Sequence, residues 1–159
     1  MATIEKALQI AARAHEGQVD KHGQPYILHP LRVMSAVEGD DARIVAILHD
    51  VIEDTSVTAD DLRREDFGEP ILEALDRLTH RKGEPYAEYV IRCKGHEIAR
   101  RVKLADLEDN SRLDRVLLRP QRLQADLARL RRSVLSYKFL TDRITEEQYR
   151  SLMEEAGPG

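Results

Sequence analysis

The sequence predicts an all-α fold, and three observations carry that prediction. Apolar residues recur at helical spacing through nearly every segment, Gly and Pro fall between those segments, and no stretch alternates long enough to read as a strand. Taken in order, Ile4, Ala7, Leu8, Ala11, Ala12 and His15 share a helical face that Gly17 ends. QVDKHGQPY is a loop, and in the following ILHP, Pro30 can open the next helix. Asp40 or Asp41 is the expected cap of the helix that runs into ILHDVIEDT. Thr58 starts TADDLRRED, with Asp61 as a capping-box acid. GEPILEALDRLTH carries Ile71, Leu72, Leu75 and Leu78 on one face, and Lys94-Gly95 separates EPYAEYVIRC from HEIARRVKLADLEDNSRL. Pro120 should begin PQRLQADLARLRRSVLSYKFL, an amphipathic helix with Leu123, Leu127, Leu130 and Val134 facing the core. TEEQYRSLMEE closes the helical part.

Bulk properties narrow the class. The 159 residues suit one domain, expected over 1–156, with 157–159 as a mobile tail. Charged residues at 34% and hydrophobic ones at 42% fit a soluble globular chain. No apolar run is long enough to span a bilayer, and the N-terminus lacks the basic-then-apolar leader pattern, so no membrane association is expected. The lone Cys93 allows no internal disulfide, which suits the cytoplasm. A net charge of −4 argues against nonspecific nucleic-acid binding.

Chemistry concentrates in ILHDVIEDT. On a helix, at about 100° per residue, His49, Asp50, Glu53 and Asp54 project into one sector. Three crowded carboxylates raise one another's pKa, and a divalent cation removes the conflict. A solvated helix end paired with arginines is the competing reading, but His49 borders an apolar run that should be buried. KLADLEDN sets Asp106 among Leu104, Ala105 and Leu107, with Asn110 one turn on; pairing with Lys103 or Arg112 at the surface is its alternative. PYILHPLRV supplies His29. Together His29, His49, Asp50 and Asp106 make two imidazoles and two carboxylates, a set suited to Mn2+ first, with Mg2+, Fe2+ or Zn2+ as alternatives.

The order His…His-Asp…Asp resembles the HD-domain metal phosphohydrolases. AHEGQ, GQPYILHP, ILHDVIEDT, FGEPILEALDRLTH and VKLADLEDN resemble the hydrolase domain of the RelA/SpoT proteins, in their small stand-alone form. The resemblance implies the HD helical fold and one Mn2+ on His29, His49, Asp50 and Asp106. It also implies Glu53 and Asp54 as the acids that position and activate water. The implied reaction removes the 3′-pyrophosphate of guanosine tetra- or pentaphosphate, with adenosine counterparts as further candidates. No synthetase domain is expected in a chain this short. Lys21, Asn110 and Arg129 match positions that contact substrate. Asp20 stands where relatives usually carry arginine, Ser133 where they carry tyrosine, and LEDN replaces Arg-Leu-His-Asn, departures that touch base and phosphate recognition. An HD phosphatase for another nucleotide, such as NADPH through its 2′-phosphate, and a silent nucleotide-sensing module are the alternatives. Protein partners are not legible.

Overall fold

Ile44, Val45, Ala46, Ile47 and Leu48 are five apolar residues in succession, so a helix made of them is apolar all round and belongs inside a bundle. In the computed structural model, which describes residues 2–155, α3 (Asp40–Leu48) is that central helix. It packs against α1 (Ile4–Ala14), α2 (Leu28–Ser35), α6 (Glu69–Leu78) and α8 (Glu97–Asn110). Those five residues are at most 3% exposed, and burying a leucine or isoleucine stabilises by about 1.5–3 kcal/mol. Two short helices, α4 (Val51–Asp54) and α5 (Ala59–Arg64), lead to α6; α7 (Tyr86–Lys94) precedes α8; α9 (Leu123–Leu140) and α10 (Glu146–Glu155) complete the chain. Among the described residues there is no strand, only an isolated bridge between Val19 and Pro25. The fold is all-α. The expected tail, 157–159, lies outside the described residues.

Several local expectations need correction. ILHDVIEDT is not one helix: α3 ends at Leu48, His49 and Asp50 form a turn, and α4 begins at Val51. Glu53 and Asp54 therefore belong to a separate single-turn helix, α4, and not to the end of α3. Gly39, at φ 90°, occupies the N-cap of α3, so Asp40 and Asp41 stand in its first turn instead of capping it. Pro30 is the third residue of α2, a first-turn position where its missing N–H costs nothing. Pro120 begins a 3₁₀ turn over Pro120–Arg122, and α9 starts only at Leu123. The Thr58–Asp61 capping box is formed in both directions.

The largest difference concerns α9. Leu123, Leu127 and Val134 are 40–44% exposed and Leu130 is half-buried, while Asp126 and Ser136 are buried. The C-terminal half of α9 does the packing: Phe139 stacks on Tyr149 at 4.6 Å, and Ser136 Oγ meets the Tyr149 hydroxyl at 2.9 Å. The N-terminal half borders a cavity. Asp126 turns inward because Arg119 gives it a backbone N–H and a two-pronged guanidinium contact.

Candidate metal centre and substrate cavity

The turn after α3 matters because it carries His49 and Asp50 off the helix axis toward α2 and α8. His29 comes from the first turn of α2 and Asp106 from the middle of α8. His29 Nε2 lies 3.2 Å from Asp106 Oδ1 and 3.6 Å from Asp50 Oδ2; His49 Nε2 lies 3.0 Å from Asp50 Oδ2 and 3.8 Å from Asp106 Oδ1. His29 and His49 are each 4% exposed and Asp106 6%. His29, His49 and Asp50 form a group able to hold a metal ion, each offering one ligand atom within 4.8 Å of the others.

Local hydrogen bonds turn these donors inward. His49 Nδ1–H donates to the Ala46 carbonyl at 2.7 Å, and His29 Nδ1–H donates to Asp109 Oδ2 at 2.7 Å. Both Nε2 atoms then offer their lone pairs to the cluster. His49 Nε2 is buried and has no aligned hydrogen-bond partner, although Asp50 is in contact. Donors that touch without bonding one another, aimed at a shared point, fit a divalent cation. The electrostatics agree. Burial alone would lower the His49 pKa, yet the Asp50 and Asp106 carboxylates raise it well above the ordinary value; His29 is raised despite burial by Asp106 and Asp109. Asp50 and Asp106 resist the upward push of burial and stay below the usual carboxylate range, held there by His49 and, for Asp106, by Lys103 first.

Asp106 is not the surface aspartate of the competing reading. Lys103 does bond it, at 2.8 Å to Oδ2, but the pair is buried; Arg112 pairs with Asp114 instead. Asn110 gives its Nδ2–H to Asp106 Oδ1 at 2.6 Å, so one end of this residue is committed to the cluster.

A cavity of about 450 Å3 opens from the cluster. Its wall includes His29, Asp50 and Asp106 of the cluster, Asn110 bonded to Asp106, and also Lys21 and Arg129. Glu53 and Asp54 are not among its lining residues; both are exposed beside it. Asp54 Oδ2 shares the Tyr26 hydroxyl, at 3.4 Å, with Asp50 Oδ2, at 2.5 Å, while Glu53 Oε2 accepts the His80 backbone N–H at 3.0 Å. Burial and the Asp50 charge raise the pKa of both acids. Lys21 loses basicity through burial and through the nearby Arg129, Arg119 and Arg122.

Sequence reasoning did not single out Tyr26, Tyr86, Arg115 or Arg132, which also line the cavity, and it named Lys103 only as a surface partner of Asp106. Lys103 was visible as the residue three before Asp106 on one helix. Tyr86 was not, because it enters from α7, where Arg132 lies 4.6 Å over its ring.

The sequence pattern of the HD domain matches residues 7–117. The chain belongs to the HD-domain family. This HD domain is of the RelA/SpoT type. It is 34% identical, over 97% of its length, to the bifunctional (p)ppGpp synthase/hydrolase SpoT of Escherichia coli K12, of which it spans 23%. A guanosine-3′,5′-bis(diphosphate) 3′-pyrophosphohydrolase of Borreliella burgdorferi is 42% identical over 48% of the chain, which covers 12% of that protein. A GTP pyrophosphokinase of Streptomyces coelicolor is 45% identical over 48% of the chain and is covered to 9%. The HD domain thus spans less than a quarter of these relatives. Its fold matches a solved structure reported as a metazoan ortholog of SpoT that hydrolyzes ppGpp, with a TM-score of 0.70, 24% identity and coverage of 98% and 94%.

Proposed function

We propose that this protein hydrolyses the 3′-pyrophosphate of guanosine tetra- and pentaphosphate, giving GDP or GTP and pyrophosphate, with Mn2+ as cofactor and adenosine analogues as further substrates. The observation that carries this reading is the cluster of His29, His49, Asp50 and Asp106, of which His29, Asp50 and Asp106 line a cavity that Lys21 and Arg129 line too. A nucleotide with two polyphosphate arms needs neutralising charge at both ends, and this cavity supplies it. Relatives named as hydrolases of the same nucleotide support the substrate class.

His29, His49, Asp50 and Asp106 would hold the cation. When bound, a divalent ion supplies Lewis acidity to the phosphate and makes water a better nucleophile near neutral pH. The water oxygen forms a bond to the first phosphorus of the 3′ arm, the bond from that phosphorus to the 3′ oxygen breaks, and pyrophosphate departs. Asp54 or Glu53 takes the proton lost by water; their raised pKa values make them stronger acceptors than ordinary carboxylates. The other acid can return a proton to the 3′ oxygen. Lys21 and Arg129 hold phosphate oxygens, and Asn110 Oδ1, opposite the amide that serves Asp106, can accept from the ribose. In this reading residues 1–156 act as one hydrolase domain on a dissolved nucleotide in the cytoplasm, engaging neither nucleic acid nor membrane.

The test is to incubate purified protein and Mn2+ with a panel of phosphorylated nucleotides and identify products by mass. Pyrophosphate with GDP from guanosine tetraphosphate is expected, and nothing after chelation. Orthophosphate as the released group, or turnover indifferent to a strong chelator, would overturn the reading.

A further inference from the structure

Asp109 is a carboxylate 6% exposed, one helical turn beyond Asp106 on α8, and both its oxygens are occupied. Oδ2 accepts from His29 Nδ1 at 2.7 Å and from Arg32 Nη2 at 3.1 Å, and Oδ1 accepts from Arg32 Nε at 2.7 Å. Arg115 Nε stands 3.3 Å from the same Oδ2 as an ion pair. The Arg115 guanidinium reaches on, through Nη1, to Asp20 Oδ2 at 3.2 Å. Asp20 meanwhile accepts the backbone N–H groups of His22, at 2.8 Å, and Gln24, at 3.0 Å, through its other oxygen, and so shapes the loop that presents Lys21. The His22 ring returns to the Arg115 carbonyl at 2.9 Å. Two carboxylates and two guanidiniums alternate in this chain of contacts, and both Asp109 oxygens are engaged within it.

We infer that Asp109 is the positioning residue of the metal centre: it holds His29 with Nε2 turned inward and, through Arg115, ties the Lys21 loop to the same point. Carboxylates that accept the far N–H of a metal-binding imidazole fix its tautomer and ring orientation, and losing them typically costs about 10–100-fold in metal affinity. Arg115 comes from the segment after α8, and it forms ion pairs with one residue beside the centre and one in the loop. A shift of that loop would move Lys21 along the cavity, so the strut governs substrate affinity as well as metal affinity.

The inference rests on the metal-centre reading, and its test keeps the two apart. Asp109→Asn is nearly isosteric but has one acceptor oxygen where His29 and Arg32 need two. Calorimetric titration of metal-free protein with Mn2+ should show affinity about 10–100-fold weaker than wild type. Thermal unfolding of the same samples separates lost positioning from lost folding. Wild-type affinity in Asp109→Asn overturns the inference whatever the substrate proves to be, and a wild type that binds no Mn2+ overturns both readings. Should Asp109→Asn fail to fold, Asp20→Asn and Arg115→Met decide. Asp20→Asn keeps the acceptor that shapes the loop and loses only the ion pair. Each single change should raise KM more than it lowers kcat, and the double change should be no worse than the stronger single. Additive effects on KM would show that no strut joins them.

Discussion

At the α2–α3–α8 end of the cavity, charged groups are sunk among apolar side chains and braced by residues far away in sequence. His29 and Asp109 are 80 residues apart, and Arg32 and Asp109 are 77. At the other end, between residues 111 and 134, Arg112 pairs locally with Asp114 and Arg119 with Asp126, while Arg115 alone of these three arginines reaches back to Asp20 and Asp109. Leucines there stay in water: Leu113 is 97% exposed and Leu118 53%. The contrast shows how one small domain divides its work. The buried end is costly to assemble and so has one geometry, which the proposed metal centre requires. The exposed end is cheap to rearrange, which suits the phosphate binding proposed for it.

Breaking the buried end should have the largest effects. Asp106→Ala removes a proposed ligand and leaves Lys103 buried without its partner, so activity should vanish and stability should fall by about 3–5 kcal/mol. Denaturant unfolding with and without Mn2+ measures this, and a fall below about 1 kcal/mol would mean that the pair is solvated. Next come the rim acids. Asp54→Asn and Glu53→Gln should lower kcat by about 10²–10⁴-fold with Mn2+ affinity kept, because these groups move protons and hold no metal in this scheme. Full activity in both would remove the acid assignment.

Substitutions at the exposed end should be milder. Lys21→Ala or Arg129→Ala should raise KM by about tenfold, equivalent to about 1.4 kcal/mol, with a smaller change in kcat. An unchanged KM in both would discard them as substrate contacts.

A pH series sharpens the comparison without mutation. Asp50 and Asp106 favour the charged form of His49 in the folded protein, so this imidazole binds its proton more tightly than in the unfolded chain. Its stabilisation is complete below the ordinary pKa of about 6.5 and fades as pH rises through the raised value. Metal-free protein should therefore melt at lower temperature as pH goes from about 6 to about 9, and Mn2+ should flatten the trend by replacing the protons. A metal-free melting temperature independent of pH would contradict the charge arrangement. The smallest effect belongs to the surface leucines. Leu127→Ser should change stability by no more than about 0.5 kcal/mol, whereas Leu48→Ala should cost about 2–5 kcal/mol.

Much of the site was legible because it rides on short-range signals. His49-Asp50 after five apolar residues, Asp106 amid Leu104, Ala105 and Leu107, and His29 before a proline each break a local rule where burial was expected. Helix order was legible for the same reason, since apolar period and Gly or Pro punctuation are local. What misled was the assumption that the period continues. His49 and Asp50 leave the helix in a turn, and the leucine face of α9 looks onto solvent because its other end supplies the packing.

The sequence alone determined that this chain is helical, that the apolar run Ile44 to Leu48 should be buried, and that two histidines and a few acids are placed where burial would demand a partner. Only the tertiary structure decided that His29, His49 and Asp50 gather within reach of one ion with Asp106 in contact with both imidazoles, and that Asp109 faces an imidazole and two arginines instead of water. Side-chain convergence depends on the crossing of α2, α3 and α8, and helix crossing is set by packing among residues distant in the chain, which no local pattern encodes.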